Sequence, residues 1–153
     1  MDPFLHLKFM KIALEEAQAA YRENEIPIGA TVVYQNRVIA KDHNRMEQSQ
    51  DPTAHAEMLV IRRAAEVLRS WRLQKTSLYV TIEPCPMCAG AMHLARVEKL
   101  IFGARDGKKG AAGSLYDIPS DGRLNHRILV FDGVMEKECR SIMKIFFLEK
   151  RKQ

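Results

Sequence analysis

Two short segments of the chain carry residue types that together can bind a metal ion. His55-Ala56-Glu57 is followed, after 26 intervening residues, by Pro84-Cys85-Pro86-Met87-Cys88. Cysteine thiolates and a histidine imidazole are common ligands of zinc. The chain has three cysteines, an odd number, and two of them lie three positions apart. This pattern argues against a disulfide framework and favours metal or redox chemistry in a reducing compartment such as the cytoplasm.

The number of candidate ligands favours a catalytic zinc site over a structural one. His55, Cys85 and Cys88 supply three ligands, whereas Cys139 stands alone and no second Cys-x-x-Cys exists. Two thiolates and one neutral imidazole formally balance Zn²⁺ and leave one tetrahedral position open for water, which the metal acidifies. Glu57 lies two residues beyond His55, where it can move protons between that water and a substrate.

The elements predicted around these segments place both halves of the site at helix starts. Helices are predicted over 4–23, 54–70, 84–95 and 134–151, and strands over 30–34, 38–40, 78–82, 100–104 and 128–131. Thr53 is a candidate N-cap, and 43–53 is predicted to be a polar loop. Unpaired N–H groups at a helix N-terminus favour thiolates at Cys85 and Cys88. The alternation of elements predicts one domain over 1–153, with helices on both faces of a mixed sheet.

Basic residues are concentrated in the second part of the chain. Residues 1–57 carry six Lys or Arg against nine Asp or Glu, whereas 58–153 carry eighteen against ten, within a net charge of +5. A basic half suits a polyanion such as nucleic acid, although a solvated basic face gives the same pattern. The segment 105–127 is long and rich in Gly, Ser and Asp, which is typical of a functional or disordered loop.

The sequence shows neither a candidate membrane span nor a candidate secretory signal. No apolar run approaches the roughly 18–20 residues that a membrane span needs, so no membrane partner is expected. The first residues, Met1 to His6, lack a cationic region followed by an apolar stretch. That composition argues against a secretory signal.

Over nearly its whole length the chain resembles the bacterial tRNA-specific adenosine deaminases, a branch of the cytidine-deaminase-like superfamily. The pattern His-x-Glu with Pro-Cys-x-x-Cys is shared by the whole superfamily. The resemblance to this branch is carried by segments 27–30, 43–45, 51–57, 83–92, 102–106, 110–114, 125–127 and 146–147. Gly107 and Lys109 stand where the family more often has Ala and Thr, and the tail 148–152 contains fewer arginines.

This resemblance implies a fold, an assembly and a reaction. The implied fold is a three-layer α/β/α sandwich with a five-stranded mixed sheet, and the implied assembly is a homodimer with active sites near the interface. The implied reaction is the zinc-dependent hydrolysis of adenosine to inosine at the wobble position of a tRNA anticodon. An arginine tRNA with the anticodon ACG is the expected substrate.

The resemblance also implies roles for individual residues. His55, Cys85 and Cys88 would bind one zinc ion per subunit, and Glu57 would be the proton shuttle. The positions that match substrate contacts are Asn44, Ala56, Asn125 and Phe147. Candidates for holding the RNA backbone are Arg105, Lys108, Lys109, Arg123 and Arg127. An anticodon loop suits such a site because its bases are unpaired and can be splayed out into a pocket.

Other functions stay open at the level of the sequence. An enzyme of the same superfamily that acts on a free base or nucleoside, such as a guanine deaminase, would use the same zinc chemistry. A nucleic-acid-binding protein could hold a purely structural zinc, although Glu57 and the three-ligand count speak against it. A Cys-x-x-Cys oxidoreductase would leave His55 and Glu57 without a role.

Overall fold

The computed structural model describes residues 2–152, which form a five-stranded sheet covered by helices. The helices are α1 (Pro3–Arg22), α2 (Met46–Ser49), α3 (Ala56–Leu68), α4 (Pro86–Ala95) and α5 (Glu136–Arg151). The strands are β1 (Gly29–Tyr34), β2 (Arg37–His43), β3 (Thr76–Ile82), β4 (Lys99–Ala104) and β5 (Leu129–Phe131). Within residues 2–152, no helix combines the length and the low polarity that crossing a bilayer requires.

The sheet is mixed, as the sequence predicts. Its strand order is β2-β1-β3-β4-β5. Strand β1 runs antiparallel to both β2 and β3, whereas β3, β4 and β5 are mutually parallel. Gln35 and Asn36, with φ of 51° and 60°, form the tight turn of the β1–β2 hairpin, as expected for a turn whose two central residues need positive φ. The parallel pair β3 and β4 is joined by helix α4, which supplies the required crossover.

Helices cover both faces of the sheet, so the three-layer α/β/α prediction is confirmed. Helices α1 and α5 pack on one face, and α3 and α4 pack on the other. Neighbouring residues of β3 alternate between the two cores: Leu78 faces the α3–α4 side and Tyr79 faces the α1–α5 side. Leu100 and Ile101 of β4 divide in the same way, which is the period-two alternation of a strand buried on both faces.

Two glycines bring the α1–α5 layer into direct contact with the sheet. A Cβ atom at Gly29 would lie 2.0 Å from the carbonyl oxygen of Ala13 in α1, and one at Gly103 would lie 2.5 Å from Sγ of Cys139 in α5. Cβ atoms do not make contacts this short. The absence of a side chain at Gly29 and Gly103 therefore sets how closely α1 and α5 approach the sheet.

Part of the prediction for 43–53 is wrong, because this segment contains regular structure. His43 is the last residue of β2, and helix α2 begins after two intervening residues. The buried carboxylate of Glu25 accepts hydrogen bonds from the amides of Glu47 at 3.1 Å and Gln48 at 2.8 Å, at the start of α2. This cap comes from more than twenty residues upstream, so no local pattern reveals it.

The predicted N-cap of α3 is also wrong. The helix begins at Ala56, and His55 occupies the N-cap position. Thr53 instead donates hydrogen bonds from its amide and its hydroxyl to Oδ1 of Asp51, at 2.8 and 2.7 Å. The turn that these bonds close leads the chain into α3, so Thr53 acts before the helix.

The long connection between β4 and β5 is packed against the rest of the fold. Residues 105–128 contain no helix or strand and only one isolated bridge, between Ala112 and Asp117. Nevertheless Ala112 and Ile128 are buried in the same core as α3 and α4. The connection is therefore an ordered crossover, which favours a functional loop over a disordered one.

Candidate active site

Several segments converge at one edge of the sheet. Strand β1 begins there and β2 ends there, because Gly29 pairs with His43. Strands β3 and β4 both end there, because Ile82 pairs with Ala104. In α/β sheets, ligands bind in the crevice outside the carboxyl ends of the parallel strands. A cavity of about 1060 Å³ lies at this edge and is lined by His55, Glu57 and Cys85 together with residues after β2, after β4 and on α5.

The three candidate metal ligands meet at the starts of two helices. His55 is the N-cap residue of α3 and Cys85 is the N-cap residue of α4, both with extended backbone, and Cys88 lies in the first turn of α4. The His55 side chain does not cap its own helix, so its imidazole is free to reach the two sulfur atoms. Nδ1 of His55 lies 3.5 Å from Sγ of Cys85 and 3.5 Å from Sγ of Cys88.

This spacing fits a tetrahedral zinc ion. Zinc bonds of roughly 2.0–2.1 Å to nitrogen and 2.3 Å to sulfur, at tetrahedral angles, place the two donor atoms about 3.5–3.6 Å apart. The two observed separations of 3.5 Å match that value. All three donor atoms lie within 4.8 Å of one another. The donor set is therefore prearranged for the ion that the sequence predicts.

Hydrogen bonds within the trio determine which groups carry protons. The hydrogen bond from Cys88, assisted by one from His55, lowers the pKa of the Cys85 thiol to about 4 despite partial burial. The same bond to Cys85, together with burial, raises the pKa of Cys88. The bond to Cys85 also raises the pKa of His55 against the effect of burial. A metal binds thiolates and a neutral imidazole, so its binding would displace the protons that these bonds retain.

Glu57 lies beside the ligands, in the wall of the cavity. It is the second residue of α3 and is 4 % exposed. Burial raises the pKa of its carboxyl group to about 7, against smaller opposing effects of its own backbone amide and of His55. A carboxyl group with this pKa can accept and release a proton near neutral pH.

Two of the predicted substrate-contacting residues line the same cavity close to the ligands. Asn44 follows β2, is 3 % exposed, and accepts a hydrogen bond on Oδ1 from the amide of Met46 at 3.3 Å. Its side-chain amide group is therefore held at the cavity wall. Ala56 is the first residue of α3 and is fully buried, so it offers backbone and a methyl group only.

The two phenylalanines of α5 differ in environment. Phe146 is buried, where its ring makes edge-on contacts with Tyr21 of α1 and with Phe147. Phe147 is 41 % exposed and lines the cavity. One ring thus belongs to the core, and the other is available to stack on a ligand.

The basic residues predicted to hold RNA divide into two groups. Arg105, Lys108 and Lys109 line the cavity. Arg105 is bound to Asp132, with Nη2 2.8 Å from Oδ2. Neither lysine forms an ion pair within residues 2–152. The charge of Lys109 lies close enough to His55 to oppose its protonation. Lys109 is therefore a cation without an ion pair close to the candidate metal ligands.

The remaining predicted residues lie elsewhere on the β4–β5 connection. Arg123, Asn125 and Arg127 are exposed and do not line the cavity. Arg123 is paired with Asp121, with Nη2 2.6 Å from Oδ2. The structure of one chain thus does not bring these three side chains to the site, and their roles stay predictions.

One face of α5 lines the cavity, and of its residues only Phe147 was predicted from the sequence. Arg140, Lys144, Phe147 and Arg151 all line the cavity, at intervals of three or four residues along the helix. That interval places side chains on one face of a helix. The periodicity could have identified the basic face, but only the packing of α5 shows which part of the molecule it meets.

Comparison with known proteins agrees with this geometry. The sequence profile of the MafB19-like deaminase family matches residues 4–151. A tRNA-specific adenosine deaminase from Bacillus subtilis (strain 168) is 49% identical over 145 residues, which cover 95% of this chain and 90% of that protein. One from Agrobacterium fabrum is 46% identical over 143 residues and covers 94% of each chain.

Solved structures give the same result. One structure, from studies of A-to-I editing by tRNA:A34 deaminases at the wobble position of transfer RNA, has a TM-score of 0.85 and 45% identity. The match covers 88% of this chain and 98% of that one. A guanine deaminase from Bacillus subtilis is also similar, with a TM-score of 0.62 and 39% identity over 64% of this chain and 63% of that chain.

Proposed function

The chain belongs to the family of tRNA-specific adenosine deaminases, and we propose that it hydrolyses adenosine to inosine at the wobble position of a tRNA anticodon. The observation that carries the proposal is one cavity that joins a zinc-type donor set, a buried carboxyl group and free cations. The whole of 1–153 would act as one deaminase domain. The expected substrate is the arginine tRNA with the anticodon ACG.

His55, Cys85 and Cys88 would hold one Zn²⁺ per chain. The support is the separation of 3.5 Å between Nδ1 and each sulfur atom, which suits tetrahedral coordination. When bound, zinc would supply a Lewis acid that makes water a nucleophile near neutral pH. The three protein ligands leave one coordination position for that water, as in other catalytic zinc sites.

Glu57 carries the protons of the reaction. Its carboxylate accepts a proton from the attacking water and delivers it to N1 of adenine while the oxygen adds to C6. It then helps to protonate the amino group that leaves as ammonia. The balance is adenosine plus water giving inosine plus ammonia, with no other reactant. Burial of Glu57 in the cavity wall supports this role because it keeps bulk water from the proton path.

The rest of the cavity is suited to a nucleotide chain. Its volume of about 1060 Å³ is slightly above the range of small-molecule sites, which is roughly 300–1,000 Å³. Asn44 would hydrogen-bond the target nucleotide beside the ligands, and the exposed ring of Phe147 would stack on a neighbouring base. Lys108 and Lys109 would bind phosphates close to the metal site. Arg140 and Lys144 would continue the basic path along α5.

A homodimer is the expected assembly, and this expectation rests on family resemblance. Sedimentation equilibrium of the purified protein tests it, because a mass of twice 17.5 kDa would support the dimer. Arg123, Asn125 and Arg127 keep their proposed RNA-contacting roles in that assembly. A monomeric mass at concentrations where the protein is active would contradict the dimer.

The decisive experiment uses a tRNA for arginine with adenosine at the wobble position. The purified, zinc-loaded protein is incubated with this tRNA, and the RNA is digested to nucleosides and analysed by mass for inosine. Free adenosine and free guanine are incubated in parallel. Inosine from the tRNA alone supports the proposal. Xanthine from guanine without inosine would contradict it and would favour the activity named for the similar guanine deaminase.

A further inference from the structure

Glu83 is a buried carboxylate that has no part in the proposed chemistry. It follows β3 directly, two residues before Cys85, and is 3 % exposed. Its oxygens accept hydrogen bonds from the amides of Asp106 at 3.0 Å, Ala112 at 2.9 Å and Ser114 at 3.0 Å, and from the hydroxyl of Ser114. All four donors are neutral and belong to the loop after β4, and they occupy the roughly four acceptor sites of a carboxylate.

The loop is folded closely around this carboxylate. A Cβ atom at Gly110 would lie 2.4 Å from both the carboxyl carbon and Oε2 of Glu83, so only glycine allows the approach. The amide of Ala111 donates to the carbonyl oxygen of Pro84 at 2.8 Å. The segment that leads to Cys85 and the 106–114 loop are therefore joined through both side chain and backbone.

The same loop carries Lys108 and Lys109, two of the cavity-lining lysines that form no ion pair within residues 2–152. The amides of Lys108 and Lys109 donate to Oδ1 of Asp106, at 2.9 and 3.2 Å, and the amide of Gly110 donates to the carbonyl oxygen of Asp106 at 2.8 Å. Asp106 itself is bound to Glu83 through its amide. The turn that carries the lysines therefore lies between residues that donate hydrogen bonds to Glu83: Asp106 before it, and Ala112 and Ser114 after it.

We propose that Glu83 is a positioning residue that holds the 106–114 loop in the shape in which Lys108 and Lys109 bind substrate phosphates. Long lysine side chains lose affinity when their backbone is free to move, because ordering it then opposes binding. A buried acceptor for several loop amides removes that cost before the RNA arrives. The inference rests on the proposed function for the identity of the substrate.

The test compares Glu83→Gln with the wild-type protein in binding to an anticodon stem–loop RNA. The RNA carries inosine at the wobble position, so no turnover occurs. An amide group cannot accept all four hydrogen bonds, because its NH₂ faces N–H donors. We expect RNA affinity to fall about tenfold, because the loosened loop and its two lysines must then be ordered when the RNA binds. The slope of log affinity against log salt should decrease by up to about 1.4, or about 0.7 per lost phosphate contact.

A double-mutant cycle shows whether the effect passes through the lysines. Lys108→Ala/Lys109→Ala is measured with and without Glu83→Gln. Coupled residues are not additive, so Glu83→Gln should weaken the double-alanine protein by no more than about twofold. A tenfold loss in both backgrounds would overturn the inference. An unchanged salt slope in Glu83→Gln, or a wild-type affinity that does not depend on salt, would also overturn it.

Two further variants separate positioning from general stability. Ser114→Ala removes one donor and keeps the carboxylate, so it should give a smaller change in the same direction. If Glu83→Gln loses zinc or does not fold, the RNA affinity of Ser114→Ala tests the positioning role instead.

Glu25→Gln is the matched control, since Glu25 is also buried and accepts hydrogen bonds from two backbone amides at α2. It should lower the melting temperature and leave the salt slope unchanged; an equal slope change there would contradict the inference.

Failure of the proposed role of Glu83 can be distinguished from failure of the proposed reaction. Inosine formation by the wild-type protein on the tRNA with wobble adenosine tests the reaction. The binding measurements test Glu83 without turnover. Inosine formation with unaltered binding by Glu83→Gln would leave the reaction intact and remove the positioning role.

Discussion

The candidate metal ligands lie at helix N-termini, where the backbone amides favour the same negative charge that a thiolate side chain carries. His55 and Cys85 are both N-cap residues, where unpaired amides and the helix dipole favour negative charge. The types and spacing of His55, Cys85 and Cys88 were sufficient to predict this cluster. Each of its two sequence motifs, 55–57 and 84–88, is only a few residues long. The pairing of Arg105 with Asp132 could not be predicted, since it depends on how β4 and β5 lie together.

Glu57→Gln should abolish turnover while zinc remains bound. The substitution keeps the shape of the side chain but removes the group that accepts and donates the proton. Loss of general acid–base catalysis typically lowers the rate by about 10²–10⁴-fold. The measurement is the initial rate of inosine formation together with zinc content by elemental analysis.

The matched control for this prediction is Glu66→Gln. Glu66 lies on the same helix but is exposed and does not line the cavity. Its variant should have the wild-type rate. A Glu57→Gln protein that retains zinc and full activity would remove Glu57 from the mechanism.

At the scale of elements, the main helices and strands were predicted but several ends were not. Short apolar runs rich in β-branched residues located all five strands, and helical periodicity and composition located the four long helices. Helix α2 escaped because its cap comes from Glu25, in another part of the chain. Strand β2 extends to His43 because its last residue pairs with Gly29. Both errors arise where a tertiary contact, and not local preference, determines the structure.

The close contact between α1 and β1 predicts a large effect of one added methyl group. Gly29→Ala should lower the free energy of unfolding by about 1–3 kcal/mol or more, as overpacking does elsewhere. The reason is that the new Cβ would meet the Ala13 carbonyl oxygen at 2.0 Å. Urea denaturation of the zinc-loaded protein measures this change.

Gly90→Ala is the matched control, because Gly90 lies within α4 and a Cβ there would meet nothing within 4 Å. This variant should stabilise the protein by about 0.4–1 kcal/mol, since alanine reduces the entropy of the unfolded chain. Equal destabilisation by both substitutions would show that packing against α1 is not the cause.

For the whole molecule, composition indicated a basic surface but not its location. The excess of Lys and Arg in residues 58–153 could belong to any solvated face. The fold brings only some of these side chains to the cavity, and it places others, such as Arg123 and Lys137, elsewhere on the surface. The basic part of the cavity lining combines side chains of α5 with Lys108 and Lys109, an arrangement that only the tertiary structure provides.

Lys144→Ala should reduce the salt dependence of RNA affinity. Lys144 lines the cavity on α5, and loss of one phosphate contact to single-stranded RNA lowers the salt slope by about 0.7. Binding of an anticodon stem–loop RNA between low and physiological salt measures the slope.

Lys137→Ala is the control for this prediction, because Lys137 is exposed on the same helix and does not line the cavity. Its slope should equal that of the wild-type protein. Identical slopes for both variants would remove the face of α5 from the RNA path.

The arrangement of the ligands also bears on how long the folded enzyme survives. Cys88 and His55 lie 33 residues apart in the chain, with donor atoms 3.5 Å apart. A zinc ion held between them would close a loop that contains all of α3 and β3. Complete unfolding would then require the ion to leave. The lifetime of the enzyme would therefore be governed by a rate of metal release, a form of kinetic stability that equilibrium unfolding does not measure.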